Sequence, residues 1–306
     1  MFWDKWFEPK PFNSGFLTEK DRHLVYFAEF GNPKGLPVLL FNGGPGGSFR
    51  EARAKLANLR KYRVIMFDQR GCGRSLPLGK TENNTTQDLL DDATRLVNYL
   101  KINQKIVVWG ASWGATLALL WAEKNADKVS KLLLSQVFLA NKAFLDWEFD
   151  ACRQIYPEFV EAMEKESKGK IKAYYNDLIQ SSDLDKQLQA VNRYGWYERI
   201  LGSMAPAFSE FKEISELELA SQRVYMHYAS HNFFLKGNEI LDNIHKIKEI
   251  DTLIVHDRLD LICPFKGAYD VAQALNKVRF VIVPAFGHAN AVLRKIINKE
   301  IRDALK

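Results

Sequence analysis

A serine flanked by two glycines lies between an apolar run and a helical run, and this combination limits the folds open to the chain. The apolar run covers residues 105–109, Gly-Ala-Ser-Trp-Gly covers residues 110–114, and residues 115–124 have a helical pattern. A serine at a sharp strand-to-helix turn is held in strained backbone geometry, and glycines two residues away on each side relieve the crowding. The pattern predicts a nucleophile elbow that directs the Ser112 hydroxyl out of the sheet. The alternative is a glycine-rich turn that carries a serine without chemistry.

Short β-rich runs alternate with helical stretches in the first half of the chain. Strands are predicted at residues 23–30, 38–41, 63–67, 105–109 and 131–134. A helix is predicted at residues 88–100, where apolar residues recur on one face and Thr85 or Thr86 can cap the first turn. This alternation predicts an α/β fold with a mostly parallel central sheet covered by helices on both faces.

The middle of the chain has a different pattern. Charged, aromatic-rich helices are predicted at residues 143–155, 158–168 and 171–179, and strand-type runs return at 252–256 and 279–283 before a final helix at 290–305. We therefore predict a catalytic domain formed by residues 1–137 and 245–306, interrupted by a helical cap domain of residues 138–244.

The composition is that of a folded globular protein, with 47% hydrophobic and 26% charged residues. The net charge of +6 comes from basic residues interleaved with acidic ones, and no nucleic-acid-binding module is recognisable, so we expect no nucleic acid partner. No apolar run approaches the roughly 20 residues of a membrane helix, and the N-terminus lacks the apolar core of a signal peptide. We expect no membrane partner and a cytoplasmic location. The oligomeric state is not predicted.

A serine hydroxyl is a poor nucleophile at neutral pH unless a histidine accepts its proton and a carboxylate orients that histidine. In the α/β-hydrolase fold, which the elbow indicates, the acid and the histidine follow the serine in that order, each after a later strand. Asp260 and His288 follow the two late strands. We predict Ser112, Asp260 and His288 as a catalytic triad. Asp257 shares the acid loop and is the alternative, although its place directly after the strand favours the capping of a turn.

A glycine-rich loop, Asn-Gly-Gly-Pro-Gly-Gly, occupies residues 42–47 directly after a predicted strand. In this fold such a loop provides one N–H for the oxyanion, and the residue after the nucleophile provides the other. We predict an oxyanion hole formed by the backbone N–H of Trp113 with that of Gly43 or Gly44. A phosphate-binding loop is the alternative, but the Walker lysine and the G-x-G-x-x-G spacing are absent.

No metal and no cofactor are expected. His227 and His231 have the i, i+4 spacing of a metal-binding pair, but the acidic motif of zinc proteases does not accompany them. Cys72, Cys152 and Cys263 are widely spaced, which matches no metal-ligand or redox motif and points weakly to a reducing compartment.

Together these residues resemble the proline iminopeptidases, or prolyl aminopeptidases, of the α/β-hydrolase superfamily. The resemblance covers nearly the whole chain and rests on residues 31–35, 43–47, 68–75, 84–86, 110–114 and 258–264. The segment at 68–75, Asp-Gln-Arg-Gly-Cys-Gly-Arg-Ser, is the most family-specific. The resemblance implies an enzyme that removes an N-terminal residue, typically proline, from short peptides through an acyl-enzyme and without a metal.

In that family, carboxylates of the cap bind the free ammonium group of the substrate. Residues 193–198 resemble the aromatic-plus-glutamate segment that provides one of them, which implies Glu198 as an ammonium ligand. The chain departs from the family at Asn42, where a histidine is usual, and at Ala229, where the cap often provides a second carboxylate. Both departures affect the choice of substrate more than the class of reaction.

Two alternative functions remain open at this point. Tyr194 and Trp196 would line an apolar acyl pocket as readily as a proline pocket, which would suit an esterase or a non-peptide amidase with the same triad. A hydrolase-fold protein that binds ligands without turnover is the second alternative. The expected partner is a short peptide or an amino-acid amide.

Overall fold

Eight strands form one sheet in the part of the chain that the computed structural model describes, which is residues 8–203, 210–284 and 287–306. The strands are β1 (Asn13–Phe16), β2 (Tyr26–Gly31), β3 (Leu36–Phe41), β4 (Tyr62–Phe67), β5 (Ile106–Ala111), β6 (Val129–Ser135), β7 (Asp251–Asp257) and β8 (Val278–Val283). Their order across the sheet is β1-β2-β4-β3-β5-β6-β7-β8. The two pairs that involve β2 are antiparallel and the other pairs are parallel. The mostly parallel sheet is therefore confirmed.

Helices cover both faces of this sheet. The helices that accompany the strands are α1 (Thr86–Tyr99), α2 (Trp113–Lys124), α10 (Phe265–Ala274) and α11 (Ala291–Ala304). Alternate residues of a strand point to opposite faces, and in β3 Leu39 and Phe41 pack in one cluster with α1, α2 and α10. Val38 and Leu40 pack on the other face, with α11 and a short 3₁₀ helix at Glu51–Leu56. The sheet is thus the central layer of three.

Seven further helices lie between β6 and β7 in the described part of the chain. They are α3 (Lys142–Asp146), α4 (Pro157–Ser167), α5 (Ile171–Gln180), α6 (Leu184–Ala190), α7 (Trp196–Ser203), α8 (Glu216–Ser230) and α9 (Glu239–Asn243). Residues of α4, α5 and α7 pack in a third cluster, which also contains Leu261 of the loop after β7. The Trp147 indole N–H donates to the Leu261 carbonyl oxygen over 3.0 Å. These helices therefore contact the loop that carries the predicted catalytic acid; the division at 138–244 stays a prediction.

Several element boundaries differ from the sequence prediction. The strand expected at residues 23–30 begins only at Tyr26, and β1 was not predicted, because its sequence Asn-Ser-Gly-Phe lacks an apolar alternation. The helix expected at 143–155 is three segments of different pitch, since α3 continues as one π-helical turn at Trp147–Ala151 and then as a 3₁₀ turn. Thr85 caps α1, with a reciprocal bond to Asp88. Residues 1–7 and 285–286, which include the start of the predicted histidine loop, lie outside the described residues.

No helix among the described residues is both long and apolar enough to cross a membrane.

A buried arginine fixes α1 to the loop after β4. The Arg70 side chain is fully buried, and its Nε and Nη2 donate to the two carboxylate oxygens of Asp92 over 2.6 and 3.0 Å. The carboxylates of Asp21 and Asp88 lie 3.5 and 3.6 Å from Nη1. Removing one partner of a buried ion pair is costly, because the remaining charge stays out of water. Within the segment at 68–75, Arg70 therefore stabilises the fold through this network.

Replacing Asp92 by alanine should lower the free energy of unfolding by about 3 kcal/mol, because the buried Arg70 guanidinium loses its bidentate partner. The adjacent Asp91 provides a matched control: it is 46% exposed and lies 3.9 Å from Lys20. Asp91→Ala should cost less than about 1 kcal/mol. Urea denaturation of both variants measures the difference, and similar small losses would contradict the assigned role of Asp92.

Candidate active site

Ser112 lies at the turn between β5 and α2. Its backbone angles are φ 56° and ψ −128°, a conformation that non-glycine residues rarely adopt. The flanking glycines are required by close backbone approach: a Cβ on Gly110 would lie 2.0 Å from the Gly114 carbonyl oxygen, and one on Gly114 would lie 2.2 Å from the Phe41 carbonyl oxygen. The turn therefore has the backbone geometry of the predicted nucleophile elbow.

The loops after β7 and β8 bring Asp260 and His288 together. One carboxylate oxygen of Asp260, Oδ2, lies 2.7 Å from Nδ1 of His288. The other, Oδ1, accepts hydrogen bonds from the backbone N–H groups of Ile262 and Cys263 over 3.0 and 2.8 Å. Both oxygens of this buried carboxylate are thus satisfied, and it is oriented towards the imidazole.

Asp257, the alternative acid, has a different environment. Its Oδ1 accepts hydrogen bonds from the backbone N–H groups of Leu259, over 2.8 Å, and of Gly287, over 3.3 Å. It therefore joins the turns that follow β7 and β8, whereas Asp260 contacts the His288 ring. Asp260, the acid predicted from the sequence, thus differs from Asp257 in its contact with His288.

The charge state of Asp260 suits a partner for an imidazolium ion. Burial acts to raise its pKa, but the neighbouring His288, together with His256 and the Cys263 N–H, more than offsets burial and holds the pKa of Asp260 below its ordinary value. The carboxyl is therefore ionised at neutral pH. An ionised, oriented carboxylate is what a general-base histidine requires.

Ser112 and His288 line the same cavity, and the Ser112 hydroxyl also lies beside Cys263, with 3.9 Å between Oγ and Sγ. Donor atoms of Asp260, Cys263 and His288 lie within 4.8 Å of one another, close enough to contact one ion. Burial, with the charge of Asp260, raises the pKa of the Cys263 thiol well above its ordinary value, whereas a metal ligand must be a thiolate. The donor set therefore fits a carboxylate–imidazole pair better than a metal site.

The predicted oxyanion donors lie next to Ser112. Trp113 is the first residue of α2, where helix N–H groups have no intrahelical acceptor. A Cβ on Gly43 would lie 3.7 Å from the Ser112 Cβ, so this loop approaches the serine closely. The Gln69 amide donates to the Asn42 carbonyl oxygen over 2.9 Å and holds the loop, while the buried Asn42 side chain donates to the Phe67 carbonyl oxygen over 2.9 Å.

A cavity of about 570 Å³ opens at Ser112 and His288. Five aromatic residues line it, namely Phe138, Phe144, Trp196, Tyr225 and Phe233. Trp196 thus lies where the sequence reasoning expected it. Tyr194 is fully buried and is not among the lining residues; it packs behind the wall, with 6.2 Å between its ring and that of Tyr225.

Two acidic residues, Glu198 and Glu148, line this cavity, together with the basic Arg199 and a few uncharged polar residues. Removal from bulk water raises the pKa of Glu198 to about 8, with the nearby charge of Glu148 adding to the effect and a hydrogen bond from Tyr225 opposing it. Glu198 was expected from the sequence, whereas Glu148 was missed. It falls inside an ordinary helical pattern of charged and aromatic residues, and nothing in that periodicity indicates that it faces a cavity.

Changing Asp260 to asparagine should reduce kcat about 10⁴-fold, because the amide no longer holds the His288 ring in the tautomer that accepts the serine proton. Asp257→Asn, the matched control on the same loop, should keep kcat within about tenfold of the wild type. Steady-state hydrolysis of one substrate by both purified variants decides between the two acids. A larger loss for Asp257→Asn would reverse the assignment.

Comparison with known proteins agrees with this geometry. Residues 37–294 match the family model described as the alpha/beta hydrolase fold. The crystal structure of VinJ superposes with a TM-score of 0.68 at 18% identity, covering 97% of this chain and 99% of that one, which supports the fold. The fold and the elbow geometry together define an α/β hydrolase.

Two curated relatives narrow the family. A proline iminopeptidase of Arabidopsis thaliana is 35% identical over 289 residues, which cover 92% of this chain and 76% of the relative. A proline iminopeptidase of Neisseria meningitidis serogroup B is 35% identical over 287 residues, which cover 91% of each. The chain belongs to the proline iminopeptidase family of α/β hydrolases. The resemblance inferred from the sequence is therefore confirmed.

Proposed function

We propose that the chain is a serine aminopeptidase that releases an N-terminal proline, or another small apolar residue, from short peptides or amino-acid amides. The observation that carries this proposal is the placement of the Glu198 carboxyl in the same cavity as Ser112 and His288. A carboxylate in the wall of the cavity that Ser112 and His288 line suits a substrate whose acyl group carries a positive charge. An N-terminal residue with a free amine is such a group.

In the proposed mechanism, His288 accepts the hydroxyl proton as Ser112 attacks the carbonyl carbon of the first peptide bond. Asp260 keeps the ring oriented and stabilises the imidazolium ion. The backbone N–H groups of Trp113 and Gly43 stabilise the negative oxygen of the tetrahedral intermediate. His288 then gives its proton to the leaving amine, and the acyl-enzyme is hydrolysed by water, which His288 activates in the same way.

The proposed role of Glu198 is to bind the substrate ammonium group. A carboxylate removed from bulk water is stabilised by a cation that enters the cavity with the substrate, and a charge-assisted hydrogen bond contributes about twice as much as a neutral one. Phe138, Phe144 and Phe233 complete an apolar wall that accepts a small ring. Together these groups select an acyl group that combines an apolar ring with a positively charged amine.

An esterase or a non-peptide amidase is the second candidate, and one observation favours it. Glu198 has a pKa of about 8, so in the empty enzyme at neutral pH its carboxyl is mostly protonated and the cavity has little negative charge there. An uncharged acyl group would then contact the aromatic and aliphatic part of the wall without facing a charge at Glu198. The two candidates differ in whether removing the substrate amine reduces turnover.

Proline p-nitroanilide and its carbocyclic isostere, cyclopentanecarbonyl p-nitroanilide, differ by that amine. We expect the wild type to prefer the prolyl substrate by at least about tenfold in kcat/KM, from one charge-assisted interaction. Glu198→Gln should lose this preference by raising KM for the prolyl substrate alone. Cleavage of short acyl p-nitrophenyl esters with no action on prolyl or alanyl arylamides would instead identify an esterase.

The nucleophile is tested in the same preparation. A fluorophosphonate probe should label the wild type at Ser112 and leave Ser112→Ala unlabelled, and that variant should lose at least about 10³-fold in kcat. Folded wild-type protein that resists the probe would favour a binding protein without turnover.

The preference for the amine should depend on pH, because binding as an ion pair requires ionised Glu198 and a protonated amine. The pKa of Glu198 is raised to about 8, so its carboxylate form is lost as the pH falls below 8. Both p-nitroanilides depend equally on the titration of His288, so it cancels in the ratio of their kcat/KM values. The ratio of the prolyl to the cyclopentanecarbonyl substrate should fall about tenfold or more between pH 8 and pH 6. In Glu198→Gln the ratio should be flat; a flat ratio in the wild type would refute ion pairing through Glu198.

The cytoplasmic location stays a prediction. It gains support from the cysteines, all three of which lie among the described residues, where each is buried and unpaired, as expected in a reducing compartment.

A further inference from the structure

Glu148 is a buried acid in the wall of the active-site cavity. It is 4% exposed and lies in the π-helical turn at Trp147–Ala151. One-turn π-helical segments within longer helices occur frequently at functional sites. A second such turn, Val191–Gly195, carries Tyr194, whose hydroxyl donates a hydrogen bond to Oε1 of Glu148. The two turns therefore face each other and fix the position of one carboxylate.

Hydrogen bonds connect Glu148 to the proposed ammonium ligand. The Tyr225 hydroxyl is a hydrogen-bond partner of both Glu198 and Tyr194, and Tyr194 in turn donates to Glu148. The carboxyl groups are also close enough for the charge of Glu148 to raise the pKa of Glu198. Glu148 and Glu198 thus form one polar group in the wall of the cavity, bridged by two tyrosine hydroxyls.

One cation already contacts this group. Lys172 Nζ lies 2.7 Å from Oε2 of Glu148 and 5.4 Å from the centre of the Phe149 ring. Its ammonium group neutralises one of the two carboxylates when the cavity is empty, so the pair of acids does not carry two uncompensated charges.

Ala229 has no group that could take part. It is 1% exposed on α8, one turn beyond Tyr225, and packs in the apolar cluster against the sheet. Glu198 on α7 would therefore be the one carboxylate available to an ammonium group in the cavity, unless a second carboxylate on another helix faces it. Glu148 is that carboxylate.

We propose that Glu148 is the second carboxylate of the substrate-ammonium site, so that the amine of the N-terminal residue is held between Glu148 and Glu198. The proposal rests on the function proposed above. It narrows the substrate to an acyl group whose cation reaches both acids, as a primary or secondary amine with two N–H donors does. A tertiary amine or an N-acylated residue provides one N–H or none and would be rejected.

Glu148→Gln tests this role, since the amide keeps the shape of the side chain but removes the charge. With proline p-nitroanilide KM should rise about ten- to hundredfold with little change in kcat, whereas with cyclopentanecarbonyl p-nitroanilide both constants should stay within about threefold. N-methylproline p-nitroanilide, with one N–H, should be a poor substrate for the wild type and should lose less in the variant. The pH at which the amine preference falls should move below that of the wild type, because a like charge beside Glu198 is gone.

Glu166→Gln is the matched control. Glu166 also accepts a hydrogen bond from a tyrosine hydroxyl, that of Tyr175, over 2.7 Å, and pairs with Arg193 over 3.0 Å, but it does not line the cavity. Glu166→Gln should leave the ratio of kcat/KM for the two p-nitroanilides unchanged. Thermal unfolding reports whether either variant is destabilised. If Glu148→Gln does not fold, Glu148→Asp takes its place. Its side chain keeps the charge but is one methylene shorter, and it should raise KM for the prolyl substrate alone.

Three outcomes would overturn the role of Glu148. If Glu148→Gln loses kcat/KM equally on both p-nitroanilides, Glu148 is a structural support of the cavity wall. If it loses kcat/KM on neither, Glu148 is only the partner of Lys172. A pH profile unchanged from the wild type would show that its charge does not act on Glu198. If the wild type itself shows no amine preference, the proposed aminopeptidase function fails first; if Glu198→Gln abolishes the preference and Glu148→Gln does not, only this inference fails.

Discussion

The backbone strain at Ser112 is the constraint on which the site depends. A residue in so sparsely populated a conformation costs about 1–3 kcal/mol and persists only where its surroundings determine it. Those surroundings are the contacts of Gly110 and Gly114 with neighbouring backbone and a hydrogen bond from the Ser112 N–H to the Ser135 carbonyl oxygen over 3.0 Å. The elbow is therefore fixed by β3, β5, β6 and α2 together. Its geometry follows from the packing of the central sheet.

The same sheet explains how Ser112, Asp260 and His288 could be proposed from the sequence as one site. β5, β7 and β8 are parallel members of one sheet, so the residues that follow them meet at one edge although Ser112 and His288 are far apart in the chain. Strand runs and their chain order are visible in the sequence, and this order indicated Asp260 and His288. The sequence favoured Asp260 over Asp257, but the contacts of each carboxylate depend on how a loop of a few residues turns and could not be predicted.

The cavity wall around Glu148 and Glu198 shows where sequence reasoning ends. Helix periodicity indicates which face of a helix is apolar, but it does not give the packing of one short helix on another, and it assumes a constant pitch. A π-helical turn adds a residue to the turn and rotates everything after it. Glu148 and Tyr194 both lie in such turns, so the hydrogen bond between them could not be inferred from spacing. Glu198 was found only through resemblance to a family segment.

The proposed selection of a free N-terminal residue would follow from the cost of an ionised carboxyl in a cavity removed from bulk water. Glu198 has its pKa raised because the empty cavity stabilises its charge poorly. An uncharged acyl group leaves that carboxyl protonated and gains only apolar contacts, whereas an ammonium group stabilises the ionised form and gains a charge-assisted bond. Desolvation disfavours the charge of Glu198 in the empty enzyme. The same desolvation therefore increases the difference in binding free energy between a substrate with an ammonium group and an uncharged one. Lys172 limits this effect at Glu148, because its ammonium group already contacts that carboxylate in the empty cavity.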